Sequence, residues 1–199
     1  MPFSLSRRRA CSMLALGAVA LGSTVVGVSA ASAAGPRKTV KSSRINSRPG
    51  TLAQGTLVSS ATLGQRVFTD ALNGFALANT GGAQYPAATS DGGVTWRTDG
   101  PALHVNAAQA PLAVTNIGAA SRTKVFAYGS GQVIDTTSNG GATWYRALFN
   151  GLVMAVVRGA GGRLVAFIDQ SVNRMGVTWQ YVSKDGGRTW RYNPRVGGV

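Results

Sequence analysis

Six aspartates, one histidine, one cysteine and no glutamate are this chain's means for acid–base or metal chemistry. A paired-carboxylate hydrolase would have to choose both groups from Asp70, Asp91, Asp99, Asp135, Asp169 and Asp185. A Ser-His-Asp triad would run through His104, and no Gly-x-Ser-x-Gly elbow accompanies it. A zinc centre finds no Cys/His cluster, because Cys11 lies in the N-terminal leader and His104 stands alone. The Gly-Gly pairs sit in hairpin turns and precede no helix, so they do not read as phosphate cradles. No catalytic residue, cofactor or metal ligand is assigned, and the composition favours binding over catalysis.

Two of the aspartates belong to a pattern that occurs three times. It reads Thr89-Ser90-Asp91-Gly92-Gly93-Val94-Thr95-Trp96, then Thr137-Ser138-Asn139-Gly140-Gly141-Ala142-Thr143-Trp144, then Ser183-Lys184-Asp185-Gly186-Gly187-Arg188-Thr189-Trp190. The terminal tryptophans are 48 and 46 positions apart. A fixed period of this size marks a repeat architecture with one supersecondary unit per period. Each copy reads as a tight hairpin. The glycines, Gly93, Gly141 and Gly187 among them, supply positive φ. Asp91, Asn139 and Asp185 accept hydrogen bonds from turn amides. Thr95, Thr143 and Thr189 open the next strand, and Trp96, Trp144 and Trp190 are buried beneath the turn. These residues are expected to be structural.

Short β-rich runs flank each box, separated by Gly, Asn and Ser clusters. The expected strands are 66–69, 75–78, 85–89 and 95–99 in the first unit. They are 112–117, 124–128, 132–137 and 143–148 in the second, and 153–158, 164–169, 177–183 and 189–193 in the third. No sustained helical periodicity follows the leader. Four antiparallel strands at this period correspond to one blade of a β-propeller. The expected fold is all-β, with about three blades in residues 51–199 and repeats near 64–109, 110–150 and 151–195. A closed propeller typically has four to eight blades. Three blades are therefore a partial propeller or half of an oligomeric ring. A homodimer would complete six; residues 51–63 could instead supply a fourth, degenerate blade, or the chain could be a shortened relative of a longer propeller.

The boxes resemble the Asp-box, or bacterial neuraminidase repeat, pattern S-x-D-x-G-x-T-W. The Asp185 copy matches fully, while Thr89, Thr137 and Asn139 are departures. The run Phe68-Thr69-Asp70, followed by Gly74-Phe75-Ala76, is similar to repeats in photosystem II stability/assembly factor-like proteins. The resemblance spans about 64–195 and implies a propeller. It is poorly specific for activity, because sialidases, other glycosidases, sorting receptors and assembly factors share the box. A sialidase would use an arginine triad, an Asp acid and a Tyr nucleophile activated by Glu. A chain without glutamate cannot build that pair, and the Arg-Ile-Pro tripeptide typical of sialidases is missing too.

Residues 1–33 read as a secretory signal. Arg7, Arg8 and Arg9 precede an apolar stretch from Met13 to Val28, and Ala31-Ser32-Ala33 offers a cleavage site. The expected localisation is exported: secreted, periplasmic or attached to the cell envelope. The net charge is +14, and +11 remains without the three leader arginines. Arg37, Lys38, Lys41, Arg44 and Arg48 fall in 34–50, which reads as a basic flexible linker. The charge suits a glycan or an anionic envelope polymer, and a protein client is a further candidate partner. Export and the lack of a recognised motif disfavour nucleic acid. In a four-stranded meander the boxes mark one face. The opposite face collects the loops that carry Gln84, Tyr85, His104, Asn106, Tyr128, Gln170, Asn173 and Arg174. That mixture of aromatic, amide and guanidinium groups fits a polar ligand, with Tyr85, Tyr128 and Arg174 foremost.

Overall fold

A computed structural model describes residues 35–105, 114–172 and 175–194, with only the backbone at 171, 172, 175 and 176. The signal segment 1–33 lies outside the described residues.

The chain is all-β. Three short strands come first: β1 (Thr39–Lys41), β2 (Ser43–Arg44) and β3 (Leu57–Val58). Three antiparallel meanders follow. The first comprises β4 (Leu63–Phe68), β5 (Gly74–Thr80), β6 (Ala83–Thr89) and β7 (Trp96–Thr98), with β8 (His104–Val105) paired to β6. The second comprises β9 (Val114–Ala119), β10 (Val125–Gly129), β11 (Val133–Thr137) and β12 (Tyr145–Leu148). The third comprises β13 (Leu152–Arg158), β14 (Leu164–Val172), β15 (Met175–Ser183) and β16 (Thr189–Tyr192). Each of the twelve strands expected from the repeats coincides with one of these, shifted at its ends by a few residues.

The N-terminal segment departs from expectation. Residues 34–50, expected to be a flexible linker, hold β1, which pairs with β16, and β2, which pairs with β12; farther on, β3 pairs with β7. One segment thus adds an outer strand to all three sheets, in reverse order of the repeats. The physical reason is the row of backbone groups left unpaired on β7, β12 and β16. Between the ladders, Ser42 N–H donates to the Arg188 carbonyl at 3.0 Å, and Ile45 N–H to that of Trp144 at 2.8 Å. The Thr98 hydroxyl donates to the Ala53 carbonyl at 2.6 Å. Residues 51–63 therefore edge the first sheet and build no fourth one.

Alternation along the strands makes the core. On β10, Val125 and Ala127 face the first sheet, where they meet Phe75, Leu77 and Trp144. Phe126 faces the third sheet with Ile134, Ile168, Tyr181 and Trp190. Phe149 meets the rings of Tyr181 and Trp190 edge-on, with centroids 5.1 and 5.8 Å away.

The boxes form as their chemistry requires. Gly92 and Gly93 have φ of 75° and 89°. The Asp91 carboxylate accepts from the Thr95 amide at 2.9 and 3.1 Å and from its hydroxyl at 2.6 Å. These bonds, the Thr95 hydroxyl foremost, hold Asp91 well below the usual carboxylate range. Asp185 accepts from Thr189 N–H at 2.9 Å and from the Ser183 hydroxyl at 2.8 Å. Burial raises its pKa, and those donors bring the net shift below the ordinary value. Asn139 substitutes fully: its Oδ1 accepts from Thr143 N–H and its Nδ2 donates to the Thr143 hydroxyl. Trp96 and Trp190 donate to the carbonyls of Gly93 and Gly187 in their own turns, whereas Trp144 reaches the Asp99 carbonyl of the first sheet at 2.7 Å.

Candidate functional site

Among the described residues expected to bind a ligand, Gln84 and Tyr85 are spent in structural bonds. Tyr85 is 2 % exposed, and its hydroxyl accepts from Leu52 N–H at 3.0 Å. Gln84 is 5 % exposed; its amide donates to the Val114 carbonyl and accepts from Val114 N–H, both at 2.7 Å. Both side chains are consumed in fastening segments together, so a ligand could reach neither without unfolding. Tyr128 is partly buried and stacked on Phe126 between the second and third sheets. His104 pairs with Gln84 across β8 and β6 and is half-buried. Asn106, Asn173 and Arg174 lie outside the described residues.

His104 adjoins a polar cluster that sequence reading missed. Asp135 on β11 is fully buried and is held by Arg146 on β12, with Nε and Nη2 each 2.7 Å from one carboxylate oxygen. Arg146 Nη2 also donates to the Leu103 carbonyl. Burial drives the Asp135 carboxyl upward, opposed by Arg146 and by His104, and the net direction is upward. Arg146 Nε and Nη2 are spent on Asp135 and Leu103, which makes the cluster a clamp between sheets.

An open polar cleft of about 380 Å³ lies on the side of the box turns, where the first and second sheets meet. Arg97, Asp99, Arg122, Gln54 and Asn73 line it. Arg97 extends from β7 and donates to the Gly55 carbonyl at 3.0 Å. Arg122, in the β9–β10 turn, holds Asp70 of the first sheet with Nε 2.8 Å from Oδ2. Asp70 is fixed in turn by the amides of Leu72 and Asn73 and the Asn73 side chain at 2.8–3.0 Å. Those bonds, the Asn73 side chain first, keep Asp70 ionised well below the usual range.

Asp99 is the unusual member. It follows β7, its Oδ2 is buried without a partner among the described residues, and the Gly141 turn presses on its carboxyl group. Burial raises its pKa from 3.8 to about 7, with Gln54 opposing. Near neutrality the cleft therefore offers two guanidinium groups and a carboxyl that can donate a hydrogen bond. Its remaining acid, Asp70, is already tied to Arg122. This donor set fits a carboxylate, sulfate or phosphate group.

The raised pKa has a consequence for stability. A carboxyl whose folded pKa exceeds its unfolded one favours the fold fully below about pH 4, and that contribution is lost as pH rises through 7. Unfolding free energies measured by chemical denaturation from pH 5 to 8 should fall by up to about 1.4 kcal/mol per pH unit from this group and level off above pH 7. Asp99→Asn should flatten that fall and melt higher than the parent at pH 8. An unchanged slope would remove Asp99 as its source.

Sequence reading missed Arg97 and Arg122 because each works across segments: Arg122 meets Asp70 over 52 residues. One signal was available. Arg97 and Arg191 both follow a box tryptophan. Compared with models of known families and with curated proteins, the chain matches none.

Proposed function

We propose that this is an exported, non-catalytic binding or scaffold protein, a propeller-type array of three blades that takes an acidic sugar or phosphate unit of an anionic envelope polymer. The Arg97–Asp99–Arg122 cleft carries the reading. Its volume is that of a small-molecule site. Its two guanidinium groups outnumber its one ionised carboxylate, Asp70, and the chain without the leader arginines keeps a net charge of +11. The Asp-box aspartates do not compete for the role, since the turns satisfy them.

Titration with polyglucuronate and with poly(glycerol phosphate), followed by calorimetry, tests this. Both should bind, neutral dextran should not, and Arg97→Glu or Arg122→Glu should weaken binding at least tenfold. Binding should also weaken from pH 6 to 8, as Asp99 loses its proton and repels the ligand. Equal binding of dextran, or insensitivity to both arginine variants, would refute the assignment.

Asp99 favours one second reading, a degenerate sialidase-like hydrolase, because a carboxyl titrating near 7 is suited to general-acid work. Among the described residues the cleft has no second carboxylate beyond the arginine-bound Asp70, and hydrolysis would need one. Release of reducing ends that disappears in Asp99→Asn would establish the enzyme.

A further inference from the structure

The three sheets present the same row of positions on the face that points along the array. In the first sheet the row is Val67, Phe75, Ala88 and Arg97. In the second it is Gly118, Phe126, Thr136 and Tyr145, and in the third it is Val157, Val165, Val182 and Arg191.

Two of these rows are seats for the next sheet. Phe75 is 5 % exposed beneath the second sheet and Phe126 is 6 % exposed beneath the third. In both seats the incoming box turn fits so closely that only glycine serves. A Cβ on Gly141 would overlap the Asp99 carboxyl, and one on Gly187 would overlap the Thr136 side chain. Arg188 of the third box lies over the Tyr145 ring, 4.7 Å from its centroid, and donates to its hydroxyl at 2.7 Å.

The third row receives nothing from the described residues. Val157 is 44 % exposed, Val165 and Val182 are half-buried, and a cleft of about 640 Å³ opens there. Arg163, Lys184 and Arg191 line it beside Asp185, whose carboxylate is engaged in its own turn.

At the other end of the array stands a turn that is seated on no other sheet among the described residues. The first box displays Val94 at 81 % exposure, with Leu72 at 57 % and Phe68 at 46 % beside it. Asp70 here is tied to Arg122, and Asp91 to Thr95 of its own turn.

We propose that the vacant third seat receives the first box of a second copy of this chain, and that the two reciprocal contacts close a ring of six sheets. The interface continues the pattern already used twice within the chain and brings the exposed Val94, Leu72 and Phe68 onto the valine row of the third sheet. Three sheets are too few to close and nine exceed the usual four to eight, so two copies are the number that fits. The inference rests on reading the sheets as consecutive blades.

Light scattering of the purified chain on a sizing column tests it. The expected mass is twice that of one chain, independent of concentration well above dissociation. Val182→Lys in the seat and Leu72→Lys in the first turn should each reduce the mass to that of a monomer, with folded circular dichroism retained. Leu148→Lys, on an exposed position of neither surface, should leave the dimer intact. A monomeric parent, an open-ended series of larger species, or a dimer indifferent to both variants would overturn the proposal. Anion titration of the same samples separates the two ideas, because a monomer that still binds polyglucuronate overturns the ring alone.

Discussion

Deletion of residues 35–58 is expected to prevent the remaining chain from folding to a soluble monodisperse state. The segment closes one edge of each sheet. It contributes at least five backbone bonds outside the regular ladders: Ser42 to Arg188, Ile45 to Trp144, Gly55 to Thr98, Thr98 to Thr56 and Tyr192 to Lys38. At about 1 kcal/mol net each, these alone amount to about 5 kcal/mol. That is comparable to the whole stability of a typical domain, before the burial of Val40 is counted. Three bared edges would also invite intermolecular pairing. A milder variant keeps the prediction measurable. Ile45→Pro removes the N–H that reaches Trp144 at 2.8 Å and should cost about 1–3 kcal/mol in chemical denaturation. A soluble deletion variant with unchanged melting would show that the strap is decoration.

Arg146→Ala should lower stability by about 3–5 kcal/mol, because it strands a fully buried carboxylate. The loss should grow with pH. Without Arg146 the main force left on Asp135 is burial, which raises its pKa further, so the variant's folded state retains a proton that the unfolded state gives up. Stability is then fullest in acid and declines as pH climbs. The paired replacement Asp135→Leu with Arg146→Met should cost much less than the single variant, since apolar pairs of similar volume often replace buried ion pairs without loss. Denaturant midpoints at pH 5 and pH 8 for the parent, the single and the double variant give the full comparison. A single variant within about 1 kcal/mol of the parent at both values would mean that the clamp contributes little.

The sequence by itself determined the local units. Box residues at fixed spacing specify a turn whose φ values and Asp or Asn side-chain bonds follow from that turn alone, whereas the indole of Trp144 finds its acceptor on the first sheet. Asp91, Asn139 and Asp185 therefore stood where expected, and β-rich runs bounded by Gly, Asn and Ser clusters located twelve strands. What tertiary structure decided was which groups were left over. Gln84 and Tyr85 read as ligand residues because polar and aromatic groups near a loop suit that role. They turned out to be fasteners once Val114 and Leu52 arrived beside them, 30 and 33 residues away. The basic segment read as a linker because composition records charge and flexibility, whereas its strand conformation is imposed by edges formed far along the chain. Asp99 became a candidate donor only because the second box, a distant segment, buries its carboxyl group. Arg97 and Arg122 became a pair because the sheets bring them to one cleft. Turn chemistry acts over a few residues and is written in them, whereas desolvation and charge pairing depend on neighbours that only the packed sheets supply.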